Sequence, residues 1–210
     1  MRKAKIIKKN WERYKYILPK DLDKKGISYF LLRFPSDKKI IPIISQFHGK
    51  KICDVGCGTG YYTKILAKNN YVIGIEKNPH LSKNLKIKVI KGDAINFSKK
   101  LREKFDIVFS TWMTEYLKKT DLLCFFKESQ KVLLPQGKII TTIISDAGFG
   151  KFYTFLAKKI KEIDKYCYSL KDVSELLIKA GFKNTEIIEL KSWLSIPWAF
   201  MIISEKEKNK

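Results

Sequence analysis

The chain has 210 residues, of which 45% are hydrophobic, 13% aromatic and 30% charged. That balance excludes a disordered polymer and suits one α/β domain with a few decorations. The formal net charge is +22, yet 39 of the 43 basic residues are lysine, the arginines being only Arg2, Arg13, Arg33 and Arg102.

Nucleic-acid readout favours the planar fork of arginine, so scattered lysine fits a solvated basic surface as well as it fits a nucleic-acid or anionic-lipid partner. The cysteines, Cys53, Cys57, Cys124 and Cys167, form no C-x-x-C pair, and the only histidines are His48 and His80. A zinc site or a disulfide framework is therefore not expected. Cys53 and Cys124 fall on apolar patterns and are expected in the core. Met1-Arg2-Lys3-Ala4-Lys5 leads into no apolar region of the signal-peptide kind, so no leader is expected. The longest near-apolar stretch, Trp193 to Ile203, is broken by Ser195 and Pro197 and is too short to span a bilayer. The expectation is a soluble, cytoplasmic protein.

Residues 1–50 read as a helical cap. Ile7, Trp11, Tyr14 and Leu18 make one apolar helical stripe, fit to pack on the domain, to cover a site or to lie on a membrane surface. A second helix starts near Pro35-Ser36-Asp37 and runs to Phe47. From residue 51 strands and helices alternate. Strands are predicted at Lys51–Val55, Tyr71–Glu76, Ile87–Lys91, Phe105–Thr111 and Lys138–Ser145, with helices near 60–69, 79–85, 96–104 and 120–134 between them. Thr120 or Asp121 is the expected cap of the last of these, which ends before Pro135 and Gly137. Such alternation implies a Rossmann-like α/β fold, a mostly parallel sheet with helices on both faces. Residues 149–168 are aromatic and basic and read as a substrate-side insertion. A helix near 169–180 follows, then strands near 184–191 and 198–204 joined by Ser-Ile-Pro, which makes an antiparallel hairpin. The domain is expected over 51–204, with a charged tail at 205–210.

The first strand enters a glycine-rich turn, Asp54-Val55-Gly56-Cys57-Gly58-Thr59-Gly60. Glycines there let a backbone lie against a ligand at the start of a helix. Tyr61 breaks the G-x-G-x-x-G spacing of dinucleotide-binding turns, and Asp54 would repel a pyrophosphate while suiting an ammonium group. Glu76 ends the second strand and Asp93 follows the third, so three carboxylates reach one carboxyl edge of a parallel sheet.

Asp54-x-Gly56-x-Gly58-x-Gly60, then Glu76, then Asp93-Ala94, resembles the cofactor signature of the class I S-adenosylmethionine (SAM)-dependent methyltransferases. The resemblance is strong over about residues 50–145. It implies SAM as cofactor, bound by Asp54, Gly56, Cys57, Gly58, Gly60, Glu76, Lys77, Asp93, Ala94 and Thr111. Gly56 and Gly58 would pass the methionine part, Glu76 would take the ribose hydroxyls, and Asp93 with the Ala94 N–H would take the adenine. Glu76→Ala is expected to weaken SAM binding and leave the fold intact.

After the fourth strand, Ser110-Thr111-Trp112-Met113-Thr114-Glu115-Tyr116 lacks the prolines of enzymes that methylate base amines. From Glu115 to Lys138 the chain is similar to small-molecule O-methyltransferases of the quinone-biosynthesis type, with Tyr116 where their pattern has histidine and Leu-Pro-Gln-Gly where it has Leu-Lys-Pro-Gly-Gly. Glu115 and Tyr116 are the candidates to orient or deprotonate an acceptor. One of Trp193 and Trp198 is expected in the core and the other at a pocket rim. No metal is expected. The expected partner is a small-molecule acceptor, with peripheral membrane contact a further reading. The alternatives are an RNA or protein methyltransferase and a SAM-binding subunit without activity of its own.

Overall fold

The computed structural model describes residues 29–161 and 164–207. The helix expected around Ile7–Leu18 lies outside the described residues. One π-helical turn, Tyr29–Arg33, leads into α1, Phe34–Ser45. Pro35 starts α1, where its missing N–H has no intrahelical partner to lose. Ile40 and Ile44, four residues apart, face the domain and are fully buried.

The remaining elements are β1 (Lys51–Val55), α2 (Tyr61–Leu66), β2 (Tyr71–Glu76), β3 (Lys88–Lys91), β4 (Phe105–Ser110), α3 (Lys119–Val132), β5 (Leu133–Ile144), α4 (Gly148–Lys161), α5 (Leu170–Lys179), β6 (Phe182–Lys191) and β7 (Pro197–Lys206). The seven strands form one sheet in the order β3-β2-β1-β4-β5-β7-β6. Neighbours among β1–β5 pair in parallel, whereas β7 runs antiparallel to both β5 and β6. This is the mostly parallel, Rossmann-like sheet with a closing hairpin that the alternation implied.

Each face of the sheet has its own core. On one, α3 and α5 pack Leu122, Phe125, Phe126, Val173 and Leu176 against Phe97, Phe105 and Val108. On the other, Ile40, Ile44, Tyr62 and Leu66 of α1 and α2 meet Ile52, Phe109, Trp112 and Trp198. Strands buried on both sides need near-continuous apolar runs, which β1, β2 and β4 supply.

Several local expectations change. The segments near 79–85 and 96–104 form only short 3-10 turns, Pro79–Ser82 and Phe97–Lys100. β5 begins at Leu133 rather than Lys138, carrying Gln136 at φ 62 and a register shift between Phe105 and Ile107. Neither Thr120 nor Asp121 caps α3, whose flanking residue is Lys118 with no side-chain cap. β7 continues to Lys206, into the stretch read as a tail. Cys124, expected in the core, is exposed on α3, because it falls between the buried positions Leu122 and Phe125. No helix among the described residues is long and apolar enough to cross a membrane.

Candidate active site

The carboxyl ends of β1, β2 and β3 and the turn after β1 make one half of the site. Gly56, Gly58 and Gly60 all have positive φ, at 76°, 53° and 81°. Their reasons differ. A Cβ on Gly56 would meet Met113 Cγ at 2.5 Å, and one on Gly60 would meet Leu85 Cδ2 at 2.1 Å, so protein side chains occupy those spaces. At Gly58 the nearest atom would be the Gly56 carbonyl at 4.0 Å, which leaves an open cradle.

Glu76 does more than end a strand. Its Oε2 accepts from the Gly58 N–H at 2.9 Å and its Oε1 from the Asn78 N–H at 2.8 Å. The carboxylate therefore fixes the turn, and its four lone-pair sites leave room for a further donor. Burial pushes its pKa up, while these backbone bonds pull it down. Because Glu76 holds the turn, Glu76→Ala is expected to loosen the loop as well as the grip on a ligand, a cost the sequence alone does not disclose.

Asp54 is buried and accepts from Thr63 Oγ1 at 2.6 Å. Burial drives its pKa up to about 7, against the pull of Thr63 and with a push from Glu76. Asp93 is partly exposed, and its Oδ2 lies 2.7 Å from Lys77 Nζ. Ala94 and Thr111 are half-buried at the ends of their strands. Cys57 turns its thiol inward, 3.6 Å from Ser82 Oγ and against Gly74, so only its backbone can face a ligand.

The second half gathers distant residues at the ends of β4, β5 and β7. Glu115 sits in a 3-10 turn, Thr114–Tyr116, and is 2% exposed in its side chain; Lys165, 9% exposed, contacts it at 2.6 Å. The segment carrying Lys165 is seated by the Tyr166 N–H on the Glu115 carbonyl at 2.7 Å and the Tyr168 N–H on the Ile144 carbonyl at 2.9 Å. Lys165 also donates to the Tyr153 hydroxyl and lies over the Tyr153 and Tyr116 rings, at 4.5 and 5.2 Å. Burial opposes the ammonium most strongly, but Glu115 and Tyr153 together outweigh it and raise the Lys165 pKa. Arg33 follows the same pattern: Glu115 and nearby tyrosines overcome desolvation. Its guanidinium stacks 5.3 Å above Trp112.

Trp112 has φ 56, a strained value for an aromatic residue, held by its N–H on Thr142 Oγ1 at 2.7 Å and by stacking on Trp198 at 4.9 Å. Its indole N–H donates to Tyr62 Oη at 2.8 Å, and the Tyr62 hydroxyl donates to Asp37 of α1. Tyr61 donates to the same carboxylate at 3.1 Å. Met113, against Gly56, joins the two halves.

Of the sequence candidates, Glu115 falls in this cluster and Tyr116 lines it. Sequence reasoning singled out none of Arg33, Asp37, Tyr62 and Lys165 for the site, whereas Tyr153 falls in the 149–168 stretch read as a substrate-side insertion. Trp198 is the core tryptophan and Trp193 the exposed one. His48 and His80 are exposed.

Comparison with known proteins agrees with this geometry. A methyltransferase domain family model matches residues 53–141. A protein from Thermotoga maritima, described as a possible histamine N-methyltransferase, superposes with a TM-score of 0.68 at 20% identity, over 86% of this chain and 93% of that one. Magnesium protoporphyrin IX methyltransferase from Synechocystis, solved with bound SAH, gives 0.68 at 11% identity over 95% of both chains. A curated relative, the tRNA U34 carboxymethyltransferase of Ruthia magnifica, is 26% identical over 165 residues; the match covers 72% of this chain and 51% of that protein. The chain thus spans about half the length of that relative. Residues 53–141 therefore match a methyltransferase domain, and the fold is one shared with SAM-dependent methyltransferases. These likenesses support S-adenosylmethionine as the cofactor. The open cradle at Gly58 and the spare lone pairs of Glu76 fit that group.

Proposed function

We propose that the protein transfers a methyl group from SAM to an oxygen of a small-molecule acceptor. SAM supplies the electrophilic methyl on its sulfonium. By the resemblance, Glu76 and Asp93 would hold ribose and adenine, and Asp54 would face the ammonium end of the methionine part.

One observation carries the choice of acceptor: Arg33 and Lys165 converge with Glu115 between the Trp112, Tyr153 and Trp198 rings. Two cations beside an aromatic floor favour an oxyanion nucleophile over an ammonium group, which they would repel. Glu115 is held by Lys165 and orients that cation. Tyr116 and Tyr153 wall the site. The residues position the acceptor in line with the methyl and exclude water.

The test has two stages. Calorimetry with SAM, its demethylated product, NAD and NADP should give micromolar binding of the first two only. Methyl transfer from labelled SAM should then favour hydroxylated or carboxylated aromatic acceptors over amines. Preference for amines would sink the oxygen assignment.

A second reading, methylation of RNA, draws on the tRNA-modifying relative and the net charge of +22. It requires salt-steep RNA binding and RNA labelling. Cofactor binding with no transfer to any acceptor would favour a subunit that binds SAM without independent activity.

A further inference from the structure

Large apolar side chains are exposed beside the acceptor cluster. Phe152 and Phe155 on α4 are 51% and 53% exposed, and Trp193 and Leu194 at the β6–β7 tip are 57% and 69% exposed. Ile196 and Leu31 extend the same surface.

These elements are neighbours. The Trp193 N–H donates to the Leu31 carbonyl at 2.7 Å, tying the tip to the cap. Four residues after Leu194, Trp198 meets the Tyr153 ring of α4 edge-on at 5.6 Å. Gly150 of α4 is pressed so close to the Trp198 carbonyl that a Cβ would lie 2.5 Å from it. The exposed residues therefore form a ridge along the carboxyl edge of the sheet. α4 buries Thr154 and Ala157 inward, which leaves Phe152 and Phe155 on its outer side.

Lysines border the ridge. Lys151, Lys158 and Lys159 are exposed on α4, and Lys159 lies 5.1 Å over the Phe155 ring. Lys38, Lys39 and Lys191 line a shallow groove with Trp193. Two nearby acids are already matched, Glu189 with Lys191 at 3.4 Å and Asp164 with Lys158 at 3.7 Å.

We propose that this ridge docks the protein on an anionic lipid surface. Apolar and aromatic side chains flanked by lysine suit the boundary between acyl chains and headgroups. There the rings and Leu194 leave water while the ammonium groups stay with the phosphates. A nucleic acid matches the lysines and the rings but not Leu194 and Ile196, since stacking uses flat rings and aliphatic tips gain nothing from phosphates. The inference stands apart from the choice of methyl acceptor.

The test uses the full chain and vesicles of phosphatidylglycerol or phosphatidylcholine, with cosedimentation as readout. The parent should bind phosphatidylglycerol vesicles and bind phosphatidylcholine much more weakly. The double variant Phe155→Asp/Leu194→Asp should lose about tenfold or more in vesicle affinity, since two apolar anchors are replaced by charges. Its circular dichroism and SAM affinity should be unchanged, which separates a failed docking surface from a failed methyltransferase reading. No binding to phosphatidylglycerol overturns the proposal. So does equal binding by the variant, which would assign attraction to the scattered lysines alone. Tight binding of a single-stranded RNA oligomer that the variant abolishes, or a solution dimer that the variant dissociates, would give the ridge to a different partner.

Discussion

The two halves of the carboxyl edge are built on different length scales. Around β1–β3, polar contacts join residues close in sequence: Glu76 to Asn78 and Gly58, Asp54 to Thr63, Asp93 to Lys77. Around β4–β7 they span much longer intervals, 50 residues from Lys165 to Glu115 and 162 from Trp198 to Ser36. The first half gathers main-chain N–H groups and carboxylates that would suit a cofactor of fixed shape. The second presents side chains brought together only by the finished fold. Damage to the first should therefore appear mainly as lost cofactor affinity, and damage to the second as lost stability and lost turnover.

The largest expected effect tests the second half. Glu115→Ala leaves Lys165 buried without its carboxylate and should cost about 3–5 kcal/mol in chemical denaturation. SAM affinity of the folded fraction should barely change. A large loss of SAM affinity would mean that the two halves are one unit. Next, Glu76→Ala should weaken SAM by about tenfold or more in calorimetry, the worth of a hydrogen bond to a charged group being about 1.5–3 kcal/mol. Some stability should go with it, because the Gly58 and Asn78 N–H groups lose their acceptor. Tyr62→Phe removes the acceptor of the Trp112 indole and a donor to Asp37, and should destabilise by about 1–3 kcal/mol. Tyr61→Phe, at a more exposed hydroxyl, should cost at most about 1 kcal/mol, and thermal melts of the pair would show whether the inner tyrosine dominates.

The smallest effect is a pH dependence. The folded Asp54 carboxyl is raised to about 7, so it is largely protonated below that value and ionised above it. An ammonium ligand favours the ionised form, so SAM affinity should rise several-fold from about pH 6 to about pH 8, with proton release. In Asp54→Asn the slope should flatten. A slope that persists would assign the titration to another group.

The same contrast explains what the sequence discloses. β1 and β2 match their expected limits because apolar runs bounded by turn residues define them. Asp54, Glu76 and Asp93 stand out because a parallel sheet must bring its strand ends to one edge. Lys165 gives no such signal: it is one lysine among 39, and only the seating of residues 166 and 168 on β5 and the Glu115 turn turns it inward. Arg33 and Asp37 were assigned to a cap helix, and no periodicity distinguishes an inward Asp37 from a solvated one. The short turns at 79–82 and 97–100 were overestimated as helices because Pro79 and the lysines around Phe97 fit a helical pattern too brief to propagate.

The Asp37–Tyr62–Trp112 chain links three parts of the molecule: the cap helix, the helix that opens after the glycine turn, and the floor of the acceptor cluster. The Tyr62 hydroxyl is the hinge pin of that chain, accepting from Trp112 and donating to Asp37. Any displacement of α2 would therefore be felt both at α1 and at the acceptor floor, and a load on either would be felt at the turn before α2.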